Sequence, residues 1–316
     1  MILLAPVPDV WWYVIILSLV FSIILIILVL TCRIRNIGFS KDSSTYAFFH
    51  PYPNNGGGGE QVLWMWINSL LLKHGNIEIV IYTVPGCNMK ETLVRVRDSF
   101  HIDLTNGVNQ NKIRFIPIYT MKYIESYWYP FATMICQSLV SMLIAIECMI
   151  YCIPNYYIDT VGAPFTYPVV YLLSFPCHIT AYVHYPVISS DMLKSVAERR
   201  PIYNNNESIT SSTYISSIKL SYYLCFAKMY RFMGRFATEV VVNSKWTQYH
   251  IEEIWQTPVS KIYPPCKTNI WRCCSFWIKK VLKRRYILSI GQFRQEKNHE
   301  LQLRSWRLFK DIFGSR

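Results

Sequence analysis

The sequence predicts an α/β fold: a doubly wound parallel sheet that holds its ligand at the carboxyl ends of the strands. Three observations predict it. The β-rich runs "TYAFFH" (45–50), "IEIVIYT" (77–83), "IRFIPIYT" (113–120), "CHITAYVHYP" (177–186) and "TEVVVNS" (238–244) alternate with helix-patterned stretches. Two of these runs reach a histidine at or near their ends, His50 and His184. Four consecutive glycines, Gly56 to Gly59, follow the first strand in a chain that has only 12 glycines.

The chain opens on an apolar run. Residues 10–30, "VWWYVIILSLVFSIILIILVL", carry no charge over a length that crosses a bilayer as a helix. Trp11, Trp12 and Tyr13 stand at its start, as an interfacial aromatic belt does. Arg33, Arg35 and Lys41 follow it, whereas only Asp9 and the free amine precede it, so the positive-inside rule assigns the rest of the chain to the cytoplasm. A cleavable signal peptide fits less well, because the core is too long and no basic n-region or small-x-small site flanks it. Residues 1–35 are read as a single-pass anchor.

Glycine costs backbone entropy, so a run of four is expected where the chain turns sharply or a ligand comes close to the backbone. The helix that follows places Val62, Leu63, Trp66, Ser69 and Leu70 at helical spacing, with Gly75 as a stop. Its first turn offers bare N–H groups to an anion or to sugar hydroxyls. Two phosphate loops are excluded. Glu60, not Lys-Ser/Thr, follows the last glycine, and Gln61 or Val62 fills the third position of GxGxxG.

Further along, "FATMICQSLVSMLIAIECMIYCI" (131–153) is long enough to span a membrane but carries Gln137 and Glu147. It reads better as a buried or membrane-dipping helix than as a span. Residues 203–217 read as a surface loop, and Ser244 as the N-cap of the helix "KWTQYHIEEIW". The segment "YILSIGQFRQEKNHELQLRSW" (286–306) predicts strand, glycine turn, basic loop and helix. Arg294 and Lys297 stand just past that strand, where two cations suit a diphosphate.

The net charge of +13 is uneven: residues 261–316 hold 14 Lys plus Arg against three acids, and the first 260 residues are almost neutral. No zinc finger, RNP strand or leucine zipper accompanies the charge, so a nucleic-acid partner is not expected, and anionic lipid or a phosphate ligand is. The ten cysteines lack CxxC pairs and metal-ligand spacing, and read as reduced, mostly buried thiols. No metal or cofactor is expected.

Four stretches carry a resemblance to a known family: "FFHPYPNNGGGGEQVLW"; "YIDTVGAPFTYP" with "AYVHYPVISSDML"; "VVVNSKWTQYHI"; and "YPPC" with "SIGQFRQEKNHELQLRSW". Together they resemble the retaining GT-B glycosyltransferases of family 4, and within them the α-1,2-mannosyltransferases of the dolichol-linked oligosaccharide pathway. The resemblance implies transfer of two mannoses, the fourth and fifth, from GDP-mannose to Man3GlcNAc2-diphosphodolichol for protein N-glycosylation. It implies work at the cytosolic face of the endoplasmic reticulum membrane, without a metal, with other mannosyltransferases of the pathway as partners. Gly56, Gly57, Gly58, Gly59 and Glu60 would border the substrates. His184 would be the catalytic histidine facing the donor sugar, and Arg294 and Lys297 would hold the donor diphosphate.

On this resemblance, residues 36–265 form an acceptor-side Rossmann-like domain and residues 266–316 only the start of the donor-binding one. The second domain ordinarily needs roughly another 150 residues, including a paired-glutamate motif that this sequence lacks. In the wider family an arginine directly follows the glycine, where this chain has Gln292, so Arg294 is a shifted candidate. Residues 267–285 also diverge from the family. The expectation is an enzyme by family whose chain, as it stands, does not turn over alone. The alternative is a non-catalytic fragment or paralogue that binds the lipid-linked oligosaccharide.

Overall fold

The computed structural model describes residues 13–14, 16–20, 23, 26–27, 29–31, 34, 44–199, 213–266, 287–291, 293 and 297–314. The described positions of the N-terminal apolar run are helical, and all but one of them are exposed. Residues 203–212, the basic segment 267–285, Arg294 and the sequon at Asn206 lie outside the described residues.

Two compact units divide the chain: Met1–Ser190 with Tyr223–Pro265, and Asp191–Tyr222 with Cys266–Arg316. The first holds a seven-stranded, all-parallel sheet in the order β3-β2-β1-β4-β5-β6-β7. The strands are β1 (Ser44–Phe49), β2 (Ile77–Thr83), β3 (Ile113–Pro117), β4 (Tyr156–Asp159), β5 (His178–Val183), β6 (Glu239–Val242) and β7 (Ser260–Lys261). The longer helices between them are α1 (Gly58–Lys73), α2 (Met89–Phe100), α3 (Thr133–Tyr151), α4 (Tyr167–Ser174), α5 (Ser190–Ala197), α6 (Thr213–Gly234) and α7 (Lys245–Trp255). The chain builds outward from β1 to β3, then returns to lay β4 on the other side of β1. That reversal creates a switch point where a crevice opens beyond the strand ends.

A sheet covered on both faces needs apolar residues at odd and even positions. Ile77, Ile79 and Ile81 of β2 join Phe48, Leu63, Trp64, Ile67 and Leu71 on the face covered by α1 and α2. The alternate residues Val80 and Tyr82 are also buried, and Tyr82 Oη–H donates to the Cys152 carbonyl at 2.8 Å. The buried stripe of α1 thus differs from the expected one. Val62, Leu63, Trp64, Ile67 and Leu71 are buried, and Ser69 is exposed with its hydroxyl on Met65 O. Trp64 decides the rotation, because its indole N–H donates to Pro53 O at 2.9 Å and must face the glycine loop.

Helix α3 packs Ser141, Ile144, Ala145, Cys148 and Met149 inward. The polar residues that argue against a span both find partners in the domain. Gln137 Nε2 donates to Ile124 O at 2.6 Å, and Glu147 accepts the N–H groups of Tyr119 and Thr120 at 2.8 and 2.9 Å. By length and composition α3 alone, among the described residues, could cross a membrane, with 28% of its apolar window buried. Ser244 caps α7 as expected, its Oγ accepting Thr247 N–H at 3.2 Å.

Three further expectations need correction. Residues 213–217, expected within a surface loop, form the start of α6. Residues 287–291 pair with no strand among the described residues, because an isolated strand has no neighbour to take its backbone hydrogen bonds. Of the seven free cysteines described, only Cys148 and Cys152 are buried, and Cys225 and Cys266 are exposed. In the second unit, helix α8 (His299–Phe313) starts at Asn298, whose side chain accepts Leu301 N–H at 3.1 Å.

Candidate functional site at the sheet switch point

A cavity of about 590 Å³ opens beyond the ends of β1, β4 and β5. Its walls are the glycine loop with the first turn of α1, the turn after β4, His184 after β5, and the inner side of α3 at Met134, Gln137 and Ser138. This is the crevice that the strand order dictates.

None of the four glycines uses a left-handed backbone; Gly57, the N-cap of α1, has φ −85°. What they provide is space. A Cβ on Gly57 would stand 2.6 Å from Glu60 Oε2, a collision, and one on Gly59 would touch His184 Nε2 at 3.6 Å. Gly58 faces open cavity, with nothing within 4 Å of its Cβ position. Gly56 borders a smaller neighbouring cavity instead.

Glu60 occupies the third position of α1, where a glutamate can reach back to the N-cap N–H. Burial pushes its carboxyl up, but His50 and the backbone N–H groups of Glu60 and Gly57 draw it below the ordinary value. His184 follows β5 directly. Its ring meets Tyr182 edge-on at 4.9 Å, and its carbonyl accepts Thr247 Oγ1–H at 3.3 Å. Its Nε2 is buried without a protein partner. Burial and then His50 hold this imidazole below the ordinary histidine range, with Glu60 opposing. A neutral ring with an unmatched nitrogen in a cavity wall can give or take one hydrogen bond with a ligand.

Sequence reasoning missed the turn after β4. Asp159 is fully buried and accepts the N–H groups of Val161, Gly162 and Ala163 at 2.8, 3.0 and 2.6 Å, with Tyr167 Oη–H at 2.6 Å. Burial raises this carboxyl despite those four donors. Gly162 takes φ +82°, a conformation that favours glycine. The stretch "DTVGAP" carries that signal: an acidic strand end, then a glycine.

The structure therefore brings Gly57, Gly58, Gly59, Glu60 and His184 to one cavity. Lys297 belongs to the second unit, where it is exposed and its side-chain carbons lie over Gly291. Among the described residues no cluster of His, Cys, Asp or Glu has the arrangement of a metal site.

Residues 43–255 match the family model described as "ALG11 mannosyltransferase N-terminus". The chain belongs to the ALG11 mannosyltransferase family. It is 37% identical over 274 residues to the GDP-Man:Man(3)GlcNAc(2)-PP-Dol alpha-1,2-mannosyltransferase of Dictyostelium discoideum, covering 85% of this chain and 53% of that protein. The proteins of the same name from Caenorhabditis elegans and Homo sapiens are 38% and 36% identical, each covering 84% of this chain and 56% and 54% of theirs. The chain thus spans about half the length of these ALG11-type relatives. The matched region, 43–255, contains every described residue of the cavity named above.

Proposed function

We propose that this chain is the acceptor-side half of a GDP-mannose-dependent α-1,2-mannosyltransferase that adds the fourth and fifth mannoses to Man3GlcNAc2-diphosphodolichol for protein N-glycosylation. One observation carries the reading: a buried, unpartnered His184 Nε2 faces the switch-point cavity beside the glycine loop, in a chain of the ALG11 family. In this reading residues 36–265 form the acceptor-side domain, and residues 266–316 begin the donor-binding domain.

The glycine backbone and Glu60 line the sugar-binding wall, and His184 exchanges a hydrogen bond with a mannose hydroxyl. Departure of GDP builds negative charge on the leaving diphosphate. Fixed cations and N–H groups stabilise such charge most where water is excluded, and Lys297 with Arg294 is the cation pair proposed for that task.

The reading places the domain on the cytosolic face of the endoplasmic reticulum, anchored by one N-terminal helix. The charge step from Asp9 to Arg33 and Arg35 supports that orientation. Exposed Tyr127, Trp128 and Phe131, beside the α3 wall of the cavity, support an approach to a lipid surface.

The test joins this chain to the donor-side half of a curated relative and supplies GDP-mannose with a synthetic Man3GlcNAc2-diphosphate lipid. Two added mannoses, both removed by an α-1,2-specific mannosidase, are expected. A product of any other linkage, or no transfer by a folded protein, overturns the reading.

A further inference from the structure

His50 touches both Glu60 and the turn after β4. It follows β1 and is 4% exposed. Its Nδ1 lies 2.7 Å from Thr160 Oγ1, and its Nε2 lies 3.6 Å from Glu60 Oε1. Thr160 Oγ1–H donates to Phe49 O at 3.1 Å. A hydroxyl has one hydrogen, so with that hydrogen on Phe49 O the oxygen accepts from His50 Nδ1–H. One ring thus connects the end of β1, the turn after β4 and the first turn of α1. The other titratable group facing Glu60 and His50 is His184.

Glu60 is confined on two sides. Oε2 lies over Gly57, in space that a Cβ would fill, and Oε1 faces the His50 ring. The backbone N–H groups of Glu60 and Gly57 also act on the carboxylate, and the His50 ring edge is the side-chain contact that faces its Oε1.

We propose that His50 is a positioning residue that acts through Glu60: as an imidazolium whose Nδ1–H is held by Thr160, it turns its Nε2–H edge to Oε1 and aims the Glu60 carboxylate at a hydroxyl of the sugar bound in the cavity. This deepens the sugar-site reading above and rests on it for the identity of the ligand. The bland alternative is a brace between β1 and β4, in which only the Nδ1–Thr160 contact matters. The two ring edges separate these readings. An asparagine amide mimics Nδ1, and a glutamine amide mimics Nε2.

The experiment uses the full chain in detergent. The carboxyl of Glu60, assigned by its disappearance in Glu60→Gln, is titrated by carbon-13 NMR in wild type, His50→Asn and His50→Gln. Binding of the free Man3GlcNAc2 glycan is measured by calorimetry on the same proteins. His50→Gln is expected to keep Glu60 below the ordinary carboxylate value and to hold affinity within about threefold. His50→Asn is expected to release Glu60 upward, because burial then acts with less opposition, and to weaken binding about tenfold or more. The proposal fails if His50→Asn preserves both readouts, or if His50→Gln loses both.

Should His50→Asn not fold, Thr160→Val replaces it. That variant removes the brace alone and is expected to leave the Glu60 titration in place; a titration that moves to that of an unopposed buried carboxyl rejects the proposal. A wild-type chain that binds no glycan sinks the sugar-site reading, while the Glu60 titration still decides whether His50 positions it.

Discussion

His184 sits at the residue scale where burial and charge make a pH prediction. Its folded value is depressed from 6.5, first by burial and then by His50. A depressed histidine contributes stability that is full above its unfolded value and is lost as pH falls through the folded one. The melting temperature should therefore decline below pH 6.5 in wild type, and His184→Gln should flatten that part of the profile. Glu60, also depressed, loses its contribution only below its ordinary value of 4.5, so the two windows separate. Equal slopes for both proteins below pH 6.5 would remove His184 from the account.

The glycines divide at the same scale. A methyl on Gly57 meets the Glu60 carboxylate, whereas one on Gly58 meets only cavity. Gly58→Ala should keep or raise stability by up to about 1 kcal/mol, because alanine is the better helix former at a non-left-handed position. Its methyl occupies ligand space, so glycan affinity should fall about tenfold. Gly57→Ala should instead shift the Glu60 titration. Calorimetry and carboxyl NMR on the two variants distinguish these outcomes, and a destabilised Gly58→Ala that binds normally would mean the loop serves only the turn.

Elements were legible to different degrees, for a physical reason. The span of β2 and the Ser244 cap were readable because they rest on local chemistry: β-branched alternation and one hydroxyl reaching an N–H three residues on. Ser244→Ala should cost about 1 kcal/mol, measured by chemical denaturation. The buried face of α1 was misread because it depends on Pro53, which takes the Trp64 indole N–H from outside the helix. The join of α6 and α7 is likewise tertiary. A Cβ on Gly234, the last residue of α6, would lie 2.3 Å from the Trp255 ring. Gly234→Ala should therefore destabilise by about 1–3 kcal/mol through overpacking, and a neutral result would show that α6 shifts freely.

At the scale of the whole molecule, two proposals have their own measurements. Asn206 heads a glycosylation sequon, Asn-Glu-Ser, that a cytosolic domain leaves unmodified. An endoglycosidase-sensitive mass shift at Asn206 would refute the orientation. In the chain joined to a donor half, Lys297→Ala should lower the transfer rate about 100-fold, the scale of losing one preorganised partner for developing charge. Unchanged turnover would make the 291–297 segment a solvated turn.

The amino-acid order alone determined the alternating parallel α/β pattern, the apolar N-terminal run, and the place of the glycine loop beyond a strand end. Each follows from periodicity, from turn residues, or from the rule that such sheets bind beyond their strand ends. It could not reveal His50 and Thr160 as one assembly. Thr160 lies 110 residues from His50, and no local spacing relates them. Only the return of the chain from β3 to lay β4 beside β1 brings them together. That same reversal opens the cavity, because strand ends turn apart at a switch point and leave backbone and side-chain groups facing a crevice.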